Sequence, residues 1–160
     1  MAVPYRESII PAYLAVHVGL PANSFKFSEL PQLKNSGDLT DDDLEQVVSI
    51  IEASMHPKKS SSELPATRFL VLMGLNALVD SATYINKAIA SKFSMTPTLV
   101  FTGSRAPLSH PNSDAGYHLA YGLSEARTKG PGLYIAMHGQ TWKLGRVAFD
   151  KDQCVFHTRT

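Results

Sequence analysis

Phe69-Leu70-Val71-Leu72-Met73-Gly74 is a continuous apolar run closed by glycine, and its reading decides the fold. A run with no polar alternation suits a strand covered on both faces, as in a parallel sheet. Asn76 follows as a candidate helix cap, and Leu78, Ala82, Ile85 and Ile89 recur behind it at helical spacing. The unit then repeats. Leu99-Val100-Phe101-Thr102 ends at Gly103, and beyond a proline-rich loop Asn112-Ser113-Asp114 caps a helix carrying Leu119, Leu123 and Ala126. Gly132 to Met137 reads as a further strand, and Gln140 to Phe149 as a hairpin or a short mixed-sheet excursion.

Upstream, Tyr13-Leu14-Ala15-Val16-His17-Val18 is short, partly β-branched and closed by Gly19, so it is expected to be the opening strand. Thr40 is the expected N-cap of the next helix. Asp41, Asp42 and Asp43 set negative charge against the positive end of its dipole, and Leu44, Val47, Val48 and Ile51 form one apolar face. Residues 57–66, rich in Pro, Lys and Ser, read as a surface loop, and 150–160 as a tail. The rhythm predicts an α/β fold: a doubly wound, mostly parallel sheet with helices on both faces, in a single domain over residues 1–160.

Composition narrows the function. A formal charge of +1 with scattered basic residues gives no electrostatic case for a nucleic-acid or membrane partner. No apolar run approaches the ~20 residues of a membrane span. Cys154 is the only cysteine, so no intrachain disulfide forms, which fits a reducing compartment. Met1 to Tyr13 lacks the layout of a secretory signal. The expectation is a cytoplasmic protein, with organelle import left open.

The chain has no phosphate-loop pattern, dinucleotide fingerprint or Gly-x-Ser-x-Gly elbow. Its six histidines show no metal-ligand spacing, so neither metal nor cofactor is expected. His110 and His118 are not expected to meet. His17 and His138 fall at the ends of expected strands, where α/β domains build sites.

Three segments in order carry a resemblance. Leu99 to Pro107 with Asn112-Ser113-Asp114-Ala115, Gly132 to Gly139, and Asn35-Ser36-Gly37-Asp38-Leu39-Thr40 together resemble the L-asparaginase/glutaminase family in its N-terminal domain. The resemblance runs from about Tyr13 to Phe149 and matches a short, single-domain form. It implies a pocket for a small amino acid or dicarboxylate lined by Gly19, Ser36, Gly74, Asn76 and Thr102. It also implies a homo-oligomer or a subunit of a larger assembly. Trp142 and Tyr117, if exposed, are candidate anchors for such contacts.

Amide hydrolysis needs an activated nucleophile, a proton-transfer partner and donors for the oxyanion. The resemblance implies a nucleophilic threonine after the first strand, where Val18-Gly19-Leu20-Pro21-Ala22 places Pro21, which has no hydroxyl. It implies Gly-Thr-Asp-Thr after the next strand, where Leu75 and Asn76 stand, and a lysine where Phe149 stands. A register slip of two would bring Lys151 there. No residue is therefore expected to be catalytic, and the expected function is a non-hydrolytic asparaginase-like binding or assembly protein. The alternative is an active amidohydrolase with a rebuilt site, using Ser24, Ser36 or Ser104 with His17 or His138 as base.

Overall fold

The structure, a computed structural model, describes residues 8–32 and 34–160; the leader reading of Met1 to Tyr13 falls partly outside them. The strands are β1 (Arg68–Gly74), β2 (Thr98–Ser104), β3 (Gly132–Met137), β4 (Gln140–Lys143), β5 (Val147–Asp150) and β6 (Val155–Thr158). The helices are α1 (Ile10–Tyr13), α2 (Asp41–Met55), α3 (Leu78–Lys92) and α4 (Ala115–Thr128). The main sheet runs β1-β2-β3-β4, parallel up to β3 and antiparallel at β4; β5 and β6 form a separate antiparallel pair.

Alternation along β2 and β3 divides the core between two layers. Leu99, Phe101, Leu133, Ile135 and Met137 face α2 and α3, where Val48, Ile51, Leu78, Ile85 and Ile89 meet them. Val100, Tyr134 and Ala136 face the other way, toward Ala126 of α4. Burying each large side chain contributes about 1.5–3 kcal/mol. On this second face Gly122 matters, because a Cβ there would lie 2.9 Å from Leu70 and 3.0 Å from Thr102. The expected α/β fold with helices on both faces is observed.

Helix α2 starts as expected. Thr40 and Asp43 form a reciprocal capping box, and Lys34 holds the Asp43 carboxylate at 2.8 Å. Residues 57–66 lack regular secondary structure.

Five local expectations fail. Tyr13–Val18 is not a strand. Residues 10–13 are α-helical, and Leu14–Val18 continue as a single π turn closed by Gly19 at φ 70°. The glycine read as a strand terminus is the left-handed C-cap of a helical segment, a role glycine fills equally well. A β-branched run holds a strand only with a partner; here the backbone pairs with itself, leaving Val16 76 % exposed. As a result β1 is the edge strand among the described residues, and its five apolar residues are only half-buried, not covered on both faces. Asn76 does not cap α3: it sits within a 3-10 turn, Leu75–Ala77, and makes no capping bond. The expected tail supplies β6, whose Phe156 is buried against Phe149 with ring centroids 4.6 Å apart. Finally, Trp142 is buried, with its indole N–H donating to Thr158 Oγ1 at 3.1 Å, so it is no surface anchor, whereas Tyr117 is exposed.

Candidate functional site

The residues expected to line one pocket fall in three places. Ser36, Gly74, Leu75 and Asn76 come together where the turn Ser36–Asp38 packs against the turn that follows β1. Glycine is required at 74, since a Cβ there would stand 2.7 Å from Ser36 Oγ. Leu75 points into the core at 6 % exposure, while Asn76 is exposed.

Gly19 and Pro21 lie elsewhere. Neighbouring Val18 shares a hollow with Ala120, Leu123 and Arg127 of α4, and Tyr13 packs its hydroxyl against Gly116. The N-terminal segment therefore runs along α4, not in the sheet. Thr102 is buried at 1 %, and its hydroxyl donates to the Ala136 carbonyl at 2.7 Å, so it holds two strands together beneath the surface. It offers nothing to a ligand.

The replacement nucleophiles lack bases. Ser24 Oγ donates to the Pro21 carbonyl at 2.6 Å, and Ser104 Oγ donates to the Ala106 carbonyl at 2.8 Å. Ser36 Oγ makes no side-chain hydrogen bond among the described residues. His17, one candidate base, packs against the Tyr13 ring in the helical segment, with centroids 4.5 Å apart. Phe149 lies in β5 against Phe156, and Lys151 is exposed in the turn after it.

Chemistry the sequence did not reveal gathers beyond β2 and β3. A hollow of about 410 Å³ is lined by Arg105, Ala106, Asn112, Asp114, Tyr117, His118 and His138. The strand β2 ends in a loop whose Arg105 N–H donates to the Asp114 carboxylate at 3.0 Å. That loop hands over to α4 through Ser113, whose hydroxyl accepts from the Ala115 N–H at 3.0 Å. Four residues along α4, His118 places Nε2 3.5 Å from Asp114, and its ring meets His138 edge-on at 5.2 Å between centroids. His138 and Gly139 form the two-residue turn between β3 and β4, with φ of 52° and 71°. Positive φ at both positions is the turn geometry that follows the twist of a hairpin, and a histidine there is uncommon.

His118 is 3 % exposed and its Nδ1 has no partner among the described residues. Burial pushes its pKa below the ordinary histidine value; Asp114 opposes that, and His138 adds to it. Sequence reading singled out His138 as a strand-end residue but not its pairing with His118. The signal was the i,i+4 spacing of Asp114 and His118 on α4. Among the described residues no group of three His, Cys, Asp or Glu side chains is placed to hold a metal, and no helix is long and apolar enough to cross a membrane.

The family model described as Asparaginase, N-terminal, matches residues 9–149. No curated protein matches the chain. Among solved structures, the thermostable L-asparaginase from Thermococcus kodakarensis is similar at 20 % identity and a TM-score of 0.63. That match covers 82 % of this chain and 37 % of the other. L-asparaginase I from Vibrio cholerae O1 biovar eltor str. N16961 is similar at 18 % identity and a TM-score of 0.70, covering 93 % and 43 %. The chain spans less than half the length of these structures, and at such identities the likeness shows the fold.

Proposed function

Because the chain belongs to the asparaginase family through its N-terminal domain, we propose that it is an asparaginase-like domain that has lost amidohydrolase activity. It serves instead as a small-ligand-binding or assembly and regulatory protein. One observation carries this reading: none of the three serines able to replace the family nucleophile is bonded to a base. Two of them donate to nearby backbone carbonyls, and Pro21, Leu75 and Phe149 at the family positions bring no hydroxyl or amine. A nucleophile without a proton acceptor stays at its own high pKa and attacks an amide poorly.

For binding, the relevant surface is the pair of turns holding Ser36, Gly74 and Asn76, with a small amino acid or dicarboxylate as the guest. For assembly, β1 has five consecutive apolar residues and an outer edge unpaired among the described residues, a ready template for another strand. Exposed Tyr117 is a further contact candidate in a homo-oligomer. A cytoplasmic location accords with the lone Cys154. Calorimetry with asparagine, aspartate and glutamine tests the binding half: heat abolished by Ser36→Ala supports it, and no heat with any of them leaves a scaffold. An ammonia-release assay on asparagine and glutamine tests the loss of hydrolysis.

A further inference from the structure

Three contacts along α4 hold the β3–β4 hairpin in place, and the middle one can change its charge. A Cβ at Gly139 would lie 2.8 Å from the Tyr117 hydroxyl. His118 meets His138 edge-on, with centroids 5.2 Å apart. One turn further along the helix, the Tyr121 hydroxyl shares a hydrogen bond of 2.9 Å with Thr141 Oγ1. Of the two imidazoles, His118 is buried on a helix packed against the sheet, whereas His138 is exposed in a two-residue turn.

The buried ring is poorly placed to take up a second proton. Nε2 lies 3.5 Å from the Asp114 carboxylate, which suits a neutral ring with its hydrogen on that nitrogen. Nδ1 is then a bare acceptor without a partner. Protonation turns it into a buried donor on a charged ring, with no acceptor among the described residues, and that is the costlier state. A proton on His138 as well sets two like charges side by side. Asp114 works in the other direction. It is partly solvated, however, and already accepts from the Arg105 N–H, so burial prevails and lowers the His118 pKa. The titratable and charged groups around His118 are Asp114 and Tyr117 on α4, Arg105 from the loop after β2 and His138 from the turn.

The element built to give way is the turn. His138 sits at φ 52°, a left-handed conformation that a residue with a side chain keeps only where its surroundings hold it. Gly139 beside it tolerates rearrangement readily.

We propose that His118 and His138 form an acid-released latch, which keeps the β3–β4 turn against α4 while His118 is neutral and frees it when His118 takes up a proton. Freeing the turn opens one wall of the hollow and lets water reach the buried ring. The direction follows from linkage. The His118 pKa in the closed form lies below 6.5, so the closed form is fully favoured above 6.5 and loses that advantage as pH falls beneath it. The latch is independent of whether the chain hydrolyses amides, because none of its residues lies among the turns holding Ser36, Gly74 and Asn76.

The test is NMR relaxation of the whole chain from about pH 8 to about pH 5, the range over which histidine changes charge. Backbone order parameters at His138 and Gly139 should fall from about 0.85 to below about 0.6 as His118 gains its proton. Trp142, the only tryptophan and buried in the adjoining β4, should keep its emission, because the core stays intact. His118→Gln, which takes up no proton, should keep the turn ordered across the whole range. His138→Asn suits the positive φ and should move the release to lower pH by removing the like charge; it carries the test should the buried substitution fail to fold. Order parameters that stay high at the acid end would overturn the proposal. So would a red shift of Trp142 emission in step with them, the sign of global unfolding, or a release that both substitutions leave unmoved.

Discussion

The end of β1 and the ends of β2 and β3 are built on one sheet, yet they carry different kinds of side chain. After β1 lies an available hydroxyl, Ser36, with the polar Asn76 nearby and no base bonded to either. After β2 and β3 lie two imidazoles, a carboxylate and a guanidinium, with no serine or threonine hydroxyl in the hollow's lining. A hydrolytic site needs both kinds of group within hydrogen-bond reach of one another. The lesson is that one sheet can set a hydroxyl and a pair of imidazoles at different strand ends, out of hydrogen-bond reach of each other.

The largest expected effect comes from the strand both ends share. Phe101 is fully buried in β2, and Phe101→Ala should cost about 3–5 kcal/mol, read as a fall in the urea midpoint. Both ends should be lost together, with Ser36 and His118 NMR signals collapsing in one transition. Next, Leu75→Thr returns a hydroxyl to the end of β1. It should destabilise by about 1–3 kcal/mol, because the new hydroxyl replaces a buried apolar group. It should also yield no ammonia from asparagine, since the bases remain at the other end; a gain of activity would break the contrast.

Smaller effects concern how each end is held. Thr40→Ala removes the capping box that anchors α2 just beyond the Ser36 turn, at about 1 kcal/mol in thermal unfolding. The Asp43 carboxylate is lowered from 3.8 to about 2, first by the hydrogen bond from Lys34 and then by those from Thr40. Its folded pKa lies below its unfolded one, so its contribution is complete above pH 3.8 and is lost as pH falls through about 2. Asp43→Asn should flatten that acid limb. His118 behaves in the same sense for a base. Its folded pKa is depressed below 6.5, so stability is complete above 6.5 and declines as pH drops beneath it. His118→Gln should remove this slope, the smallest of the effects.

Much of the scaffold was legible because period and punctuation agreed. The apolar run of β2 closed by Gly103, the Thr40 signal and the start of α4 at Ser113-Asp114 were all local, and the structure keeps them. Tyr13–Val18 was not, because strand residues form strands only when an edge receives them, and the same Gly19 terminates either structure. The sheet positions were readable through the family resemblance, but Thr102 shows the limit. Whether a strand-end hydroxyl faces a pocket or the neighbouring carbonyl depends on which face the helix α4 covers. The His118–His138 pair was hidden for a similar reason, since one comes from a helix and the other from a hairpin turn twenty residues on.

The account turns on a hydroxyl and a base never meeting, and quantifying ammonia from asparagine and glutamine with the purified chain addresses that directly. Release indistinguishable from the buffer blank, for the parent chain and for Ser36→Ala alike, is the predicted result. Steady release by the parent that disappears in Ser36→Ala would contradict the account and place a working nucleophile at the end of β1.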